Sequence, residues 1–223
     1  MITPRLQCII DHAAGEVISD IGTDHAYIPI ELIETKVAKR VIASDIKEGP
    51  LNIARQNIKN HGMENKIEMR LGSGLSVLKN KEAETIIIAG MGGEMIELIL
   101  KEHEEIAKNA LLILQPMNSQ YELRKYLIYN GYEITEEDIA VEGFKVYNVL
   151  IVKSGSMEKF RRDIEYHVPK YLIKHKYFKN LYEKKHREFV KVISGLENSK
   201  ETDFEKLNRY KEWLKELEKY ESD

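Results

Sequence analysis

The chain lacks several features that would point to other classes of protein. It has one cysteine, Cys8, among 223 residues, so it forms no intramolecular disulfide, and this fits a reducing cytoplasm. No apolar run approaches the roughly 20 residues that a membrane-spanning helix needs. A net charge of -3 also excludes the strongly basic character of a whole nucleic-acid-binding domain. We therefore expect a cytoplasmic protein without a membrane segment.

The start of the chain also lacks the apolar core of a secretory signal. Thr3 and Pro4 instead predict a helix N-cap and a first-turn proline. From there to about Lys153, β-rich runs alternate with helical runs, which is typical of βαβ units. The predicted helices run from Gly49 to about His61, over Gly93–Glu105 and over Ser119–Asn130. The predicted strands are Val17–Asp20, Arg40–Asp45, Ile67–Leu71, Thr85–Ala89, Leu111–Gln115, Glu133–Val141 and Val146–Lys153.

The connection between the last two strands is only Glu142–Lys145, which is too short for a crossover helix, so these strands are predicted to be antiparallel. Six parallel strands with an antiparallel seventh form the Rossmann-like α/β sheet of class I methyltransferases. Residues 1–153 are the predicted methyltransferase domain. Residues 154–223 are predicted as a helical C-terminal domain with a coiled-coil-like antiparallel helix pair, in which a capping box starting at Thr202 begins the second helix. The alternative is that either helix packs back on the sheet.

The turn after the first strand lacks the glycines of a pyrophosphate-binding loop. In a G-x-G-x-x-G loop that starts at Gly22, the later glycines would stand where Asp24 and Tyr27 are found. Asp20 and Asp24 place carboxylates at the sheet edge where open α/β sheets bind ligands. Carboxylates repel a diphosphate but suit an ammonium and a sulfonium, so we predict S-adenosylmethionine as the cofactor rather than NAD or ATP. An ordinary strand-to-helix turn is the alternative.

Polar residues and glycines follow the other strands in the same way. Asp45 stands where a carboxylate accepts the hydroxyls of a ribose, and glycines after the third and fourth strands let the backbone approach a ligand. Taken alone, each motif also fits a plain turn or cap. The predicted cofactor-binding residues are Asp20, Gly22, Thr23, Asp45, Gly72, Ser73, Gly90 and Met91. The predicted substrate-binding residues of this region are Gly92, Gly93, Gln115, Pro116 and Asn118.

Four segments, DIGTDHAYIP, RLGSGL, AGMGG and LQP, together resemble the bacterial tRNA adenine-22 N1-methyltransferases, the TrmK-type enzymes, and the resemblance extends over most of the chain. It implies methyl transfer from S-adenosylmethionine to N1 of an adenine in the D-arm region of tRNA. The chain departs from the family at Ser73, where an acidic residue is usual, and at Met117, which separates LQP from Asn118. The N/D-P-P-Y/F motif of amino-group methyltransferases is missing, which favours a ring nitrogen as the target.

Three residues of the first turn are the predicted catalytic residues. Asp24 is the candidate to stabilise the cationic product base, because a nearby anion lowers the energy of a developing positive charge. Tyr27 or His25 is expected to hold an extruded base by stacking. The alternative for His25 is a structural histidine that packs the turn.

The tail has an uneven charge distribution. Residues 159–191 contain eleven Lys or Arg against four Asp or Glu, with tyrosines and histidines between them. A basic, aromatic arm predicts contact with tRNA, with Lys184 and Lys185 as candidate contacts, although such runs are also typical of solvated helix faces. The histidines of the arm, His167, His175 and His186, lack metal-ligand spacing, so no metal site is predicted.

Two other functions remain open from the residues alone. The first is a methyltransferase of a small molecule or protein, with the tail as a dimerisation hairpin. The second is a non-catalytic RNA-binding protein with a degenerate methyltransferase fold. A monomer is expected.

Overall fold

The computed structural model describes residues 2–221, and its centre is one seven-stranded sheet. Its spatial order is β3-β2-β1-β4-β5-β7-β6. All neighbouring strands are parallel except that β7 runs antiparallel to both β5 and β6. The prediction of an antiparallel seventh strand is therefore confirmed. The strands are β1 Val17–Ile21, β2 Arg40–Asp45, β3 Ile67–Leu71, β4 Thr85–Met91, β5 Leu111–Pro116, β6 Tyr132–Glu142 and β7 Lys145–Ser154.

Eight α-helices accompany the sheet within the described residues. The first begins as the sequence predicts, with Thr3 as the N-cap and a proline in the first turn. The predicted helix Gly93–Glu105 is instead two helices, because the backbone leaves the helical conformation at His103. The helices are α1 Pro4–Asp11, α2 Tyr27–Glu34, α3 Glu48–Asn60, α4 Gly93–Glu102, α5 Glu104–Ala107, α6 Gln120–Tyr129, α7 Phe178–Glu197 and α8 Phe204–Glu218.

The core lies on both faces of the sheet. Successive strand residues point to opposite faces, so Ile86 and Ile88 enter the layer beneath α4 and α6, while Ile87 enters the layer beneath α1, α2 and α3. Because both faces are covered, the central strands β4 and β5 are apolar at nearly every position, as buried parallel strands are in general. This packing holds the carboxyl ends of β1, β2, β4 and β5 at one edge.

The C-terminal helices α7 and α8 contact each other, with His186 close to Glu218 and Glu197 close to Lys211, and they also pack on the sheet. Leu181, Phe189 and Trp213 share one buried cluster with Ile139 of β6 and Val146 of β7. The interpretation in which the tail packs back on the sheet therefore applies together with the helix pair. The predicted boundary between units 1–153 and 154–223 crosses this shared core. The terminal residues Met1, Ser222 and Asp223 lie outside the described part of the chain.

The cap of α8 differs from the predicted capping box. The carboxylate of Asp203, rather than the hydroxyl of Thr202, accepts a hydrogen bond from the Lys206 amide at 2.9 Å. Thr202 donates its hydroxyl to the Leu196 carbonyl at the end of α7. Aspartate and threonine both serve as N-caps, so local pattern alone did not separate the two positions.

Within residues 2–221, none of the helices combines the length and the apolar character that crossing a bilayer requires.

Candidate functional site

A cavity of about 520 Å³ opens at the carboxyl edge of the sheet, beside the ends of β1 and β4. Open α/β sheets bind their ligands at this edge. The cavity brings together seven of the predicted site residues, which are Asp20, Gly22, Thr23, Asp24, His25, Tyr27 and Gly90.

Gly22 turns the chain at the end of β1 with φ of +78°. A Cβ at this position would stand 2.3 Å from the methyl carbon of Met91, so a larger residue would have to displace the end of the Met91 side chain. The amides of Gly22 and Thr23 both donate to the Ser44 carbonyl at 2.8 and 2.9 Å. The turn is thereby fixed to β2, and its first two amides are already used within the protein.

Asp20 is the buried acid of the cavity, with 4% of its surface exposed. Burial raises the pKa of its carboxyl group to about 6, and the charge of Asp45 adds to the shift. The nearby Thr23 side chain lowers the pKa of Asp20, although its Oγ1 is not in hydrogen-bonding geometry with any described residue. The Ser44 hydroxyl is likewise buried without a hydrogen-bond partner among the described residues. A buried carboxylate beside the unused Thr23 hydroxyl fits a cationic, hydrogen-bonding ligand.

The Asp24–Tyr27 segment forms the mouth of the cavity. Asp24 and Ala26 have φ of +49° and +58°, a left-handed conformation that an alanine rarely adopts. The Asn57 side chain of α3 donates to the His25 carbonyl at 3.0 Å and holds the turn. Strain retained at such a turn is typical of functional sites.

The side chains of this turn stand close together and face solvent. His25 Nε2 lies 3.5 Å from Asp24 Oδ2, and the Asp24 side chain is 67% exposed. The rings of His25 and Tyr27 are 5.5 Å apart with an interplanar angle of 31°. A carboxylate beside two accessible rings is suited to hold a flat cationic group, so all three predicted catalytic residues do lie together.

Asp45, Gly72 and Ser73 lie at the ends of β2 and β3, outside the lining of this cavity. Asp45 pairs with Leu71 across the two strands, its carbonyl accepts from the Gly72 amide at 3.1 Å, and its carboxylate accepts from the Lys47 amide at 2.8 Å. Ser73 is exposed. These residues form a second, shallower part of the same sheet edge.

The glycines after β4 have a structural cause. A Cβ on Gly93 would stand 2.4 Å from the Ser119 carbonyl oxygen, and one on Gly92 would stand 2.9 Å from Asn118 Oδ1. The start of α4 therefore crosses the loop after β5 at a distance that only glycine permits. Gly92, Gly93 and Asn118 do not line the cavity, so close backbone packing accounts for these residues without a substrate.

Gln115 is fully buried and its amide is used within the protein. Its Oε1 accepts from Arg5 Nη1 at 2.8 Å and from the Gly90 amide at 3.2 Å, while its Nε2 donates to the Pro116 carbonyl at 3.0 Å. We expected Gln115 and Pro116 to touch the substrate, and neither lines the cavity. Gln115 instead connects α1 to the turn after β4.

Several lining residues were not predicted from the sequence. Arg5 comes from α1 and lies with its guanidinium carbon 5.5 Å from the ring centre of Tyr147. Glu142 and Lys145 come from the ends of the β6–β7 hairpin. The hairpin itself was predicted, but no sequence pattern indicated that its tip and the first helix close the cavity.

Of the predicted tRNA contacts, Lys184 is half-buried and Lys185 is buried, and both ammonium groups have partners within the protein. Lys184 Nζ donates to the Val146 carbonyl at 2.9 Å, and burial lowers the pKa of its ammonium. Lys185 is buried and pairs with Glu188 at 2.8 Å. His167 is also buried, and burial lowers its pKa to about 2. These three residues lie where the C-terminal helices pack against β6 and β7, and they do not form an open basic surface.

Comparisons with known proteins identify the family. Residues 2–150 match the family model described as a methyltransferase domain. The tRNA (adenine(22)-N(1))-methyltransferase of Bacillus subtilis (strain 168) is 35% identical over 159 residues, which span 70% of this chain and 67% of that protein. The chain belongs to the tRNA (adenine(22)-N(1))-methyltransferase family.

Solved structures extend the family likeness over the C-terminal helices. The B. subtilis M1A22 tRNA methyltransferase TrmK has a TM-score of 0.87 and 27% identity, with 99% of this chain and 98% of that chain covered. The Streptococcus pneumoniae protein Sp1610, solved in complex with S-adenosyl-L-methionine, has a TM-score of 0.87 and 32% identity, with 99% of each chain covered. The predicted class I methyltransferase fold is confirmed.

The donors at the sheet edge fit the cofactor of this family. S-adenosylmethionine carries an ammonium and a sulfonium, which match the buried Asp20 carboxylate. Its hydroxyls and carboxylate require hydrogen-bonding partners, and the unused hydroxyls of Thr23 and Ser44 and the carboxylate of Asp45 lie at the same edge. The residues present therefore suit the cofactor without any rearrangement of the strands.

Proposed function

We propose that this protein transfers a methyl group from S-adenosylmethionine to N1 of adenine 22 in tRNA. The observation that carries the proposal is the cavity at the carboxyl edge of β1 and β4, with a buried carboxylate at its base and an exposed Asp24–His25–Tyr27 cluster at its mouth. Family membership supports the tRNA substrate and the target nucleotide.

The cofactor residues divide by location. Asp20, Thr23 and Gly90 would hold the charged end of S-adenosylmethionine in the cavity, and Asp45 with Gly72 and Ser73 would hold its ribose and adenine at the shallower edge. Gly22 and Met91 shape the turn between them. When bound, the cofactor supplies an electrophilic methyl group on a sulfonium.

The chain's own residues then have mainly to position the base. Adenine N1 is unprotonated near neutral pH, so its lone pair attacks without a strong base, and alignment is worth up to roughly 7–11 kcal/mol in ideal cases. His25 and Tyr27 would stack on the extruded adenine. Methylation makes the base cationic, and the Asp24 carboxylate would stabilise that charge as it develops.

The tRNA would contact the exposed lysines of the arm, in place of Lys184 and Lys185. Lys174 and Lys176 are exposed in the segment that leads into α7, and Lys179 is exposed in its first turn. Since phosphate contacts dominate affinity for RNA, three exposed ammonium groups within six residues support this surface.

The test is methyl transfer to unmodified tRNA transcripts that differ only at position 22. With adenine there, digestion of the product should yield N1-methyladenosine, and with guanine no methyl group should be incorporated. Equal labelling of both transcripts would place the target elsewhere. Cofactor binding without any tRNA labelling would instead favour a small-molecule or protein methyltransferase.

A further inference from the structure

Three side chains of types that can bind a metal lie close together where α1 packs against β6, away from the cavity. Cys8 and His12 are four residues apart at the end of α1, so they lie on one side of the helix. Asp138 of β6 faces both. One ligand atom from each of the three residues lies within 4.8 Å of the others. Asp138 is 126 residues from His12 in sequence, so no local spacing motif indicates the cluster, and none was predicted.

The geometry of the cluster is close to that of a zinc site. His12 Nε2 lies 3.1 Å from Asp138 Oδ2. Zinc binds nitrogen and oxygen at about 2.0–2.1 Å, so two such ligands in a tetrahedral site stand roughly 3.3 Å apart. The Cys8 sulfur lies within 4.8 Å of ligand atoms of both residues, and it would have to approach the ion to the zinc–sulfur distance of about 2.3 Å. We propose that Cys8, His12 and Asp138 bind a zinc ion, with a solvent molecule as the fourth ligand.

The surrounding residues orient the ligands as outer partners do in metal sites. His175 Nε2 lies 2.7 Å from Asp138 Oδ1. The Tyr177 amide donates to His175 Nδ1 at 3.1 Å, which leaves the proton of a neutral imidazole on Nε2. His175 therefore donates to Asp138 and is not itself a ligand. On the other side, His12 Nδ1 faces Glu136 at 3.8 Å.

The charges of the cluster also suit a divalent, borderline-soft cation. Zinc binding displaces the proton of a cysteine thiol to solvent, and the resulting Cys8 thiolate with the Asp138 carboxylate would balance the two positive charges of the ion. Thiolate and imidazole ligands favour zinc over magnesium or calcium.

The proposed zinc would connect three parts of the molecule. It ties the end of α1 to β6, while His175 links the same carboxylate to the segment before α7. Arg5, one turn earlier on α1, lines the cavity. The metal would therefore stabilise the position of a helix that contributes to the functional site, without touching the site itself.

Cobalt substitution tests the site on full-length protein that has no histidine tag and has been stripped with a chelator. One Co²⁺ per chain should bind, with visible bands of tetrahedral cobalt and a near-ultraviolet thiolate charge-transfer band. Because Cys8 is the only cysteine, that band has one possible source. Zinc should displace the cobalt and raise the melting temperature by roughly 5 °C or more at a hundredfold excess over its Kd.

Substitutions distinguish the proposed zinc ligands from residues that do not bind the metal. Cys8→Ser should abolish the thiolate band, Asp138→Asn should weaken binding at least about tenfold, and His175→Gln should weaken it by about 10–100-fold through the outer hydrogen bond. The control is His61→Gln, an exposed histidine at the C-terminus of α3, which should bind as the parent does. A parent protein that binds no stoichiometric cobalt, or a Cys8→Ser variant with an unchanged spectrum, would overturn the proposal.

A measurement on the parent protein alone covers the case in which a variant fails to fold. Zinc should protect Cys8 from alkylation by iodoacetamide, and a chelator should restore the reaction. Equal alkylation rates with and without zinc would contradict coordination by the sulfur.

Discussion

The burial of Asp20 has a cost in stability, and we propose that the same carboxylate binds the cofactor. Because it is buried, its pKa is about 6 in the folded protein, against about 3.9 in an unfolded chain. The folded state therefore holds the proton more tightly, and the free energy of unfolding falls as the pH rises from about 4 to about 6. Above pH 6 the protein without its cofactor carries a buried, ionised carboxylate.

Asp20→Asn should make the protein more stable and less able to bind its cofactor. At about pH 7.5 the free energy of unfolding should rise by up to about 2–3 kcal/mol because the buried charge is gone, with no gain at about pH 4. Urea denaturation at both values and calorimetric titration with S-adenosylmethionine measure the two effects. The exposed Asp11→Asn is the matched control. A less stable variant with unchanged cofactor affinity would contradict this role.

The grouping of the site residues could be predicted only where the sequence pattern also determines their surroundings. The DIGTDHAYIP turn is local, so Asp20, Asp24, His25 and Tyr27 were placed together correctly. Gln115 was assigned to the substrate because nothing local shows that Arg5, 110 residues earlier, occupies its amide oxygen. Exposure at Lys184 and Lys185 likewise depends on how α7 packs against the hairpin.

At the scale of elements, the strands were predictable because buried parallel strands require nearly continuous apolar runs. The division of one predicted helix into α4 and α5 was not predictable. Residues 93–105 contain no proline and no glycine after Gly93, so nothing in the sequence marks a break at His103. The way in which α6, β6 and the segment after β7 pack together could not be predicted from the sequence either, because it depends on a buried ion pair.

That ion pair is Arg124 on α6 with Glu137 on β6, and both side chains are fully buried. Arg124 Nη1 also donates to the Tyr166 carbonyl at 2.8 Å, and Glu137 accepts from Asn148 at 2.7 Å and from Tyr171 at 2.9 Å. The network thereby joins the sheet domain to the segment that leads into the C-terminal helices.

Arg124→Ala should reduce the free energy of unfolding by about 3–5 kcal/mol, because it leaves the buried Glu137 charge without its partner. The control is Arg209→Ala, an exposed arginine paired with Glu205 within α8, which should cost no more than about 0.5 kcal/mol. Chemical denaturation followed by circular dichroism measures both. Equal effects of the two substitutions would show that the buried network does not stabilise the junction.

At the scale of the whole molecule, the basic arm is part of the folded body. His167 and Lys185 are buried between the sheet and the C-terminal helices, whereas Lys174, Lys176 and Lys179 are exposed. A charge count over residues 159–191 therefore cannot show which lysines are exposed, because exposure depends on how this segment packs.

Charge reversal at Lys174 and Lys179 should weaken tRNA binding at least about tenfold and reduce its salt dependence, because each lost phosphate contact lowers the number of released counterions. The matched control is Lys206→Glu, an exposed lysine on α8. Filter binding at several salt concentrations measures the effect, with cofactor affinity as a check on folding. Equal loss in the control would indicate a general charge effect instead of a defined surface.

We propose that the exposed Asp24 cluster acts on the base while the buried part of the cavity holds the cofactor. The most direct measurement is the single-turnover rate of methyl transfer to an adenine-22 transcript by Asp24→Asn. Asparagine tolerates the left-handed backbone at this position, so the change removes only the charge. We predict a rate roughly 100-fold lower with unchanged affinity for S-adenosylmethionine. An unchanged rate would contradict the proposed role of Asp24 in methyl transfer.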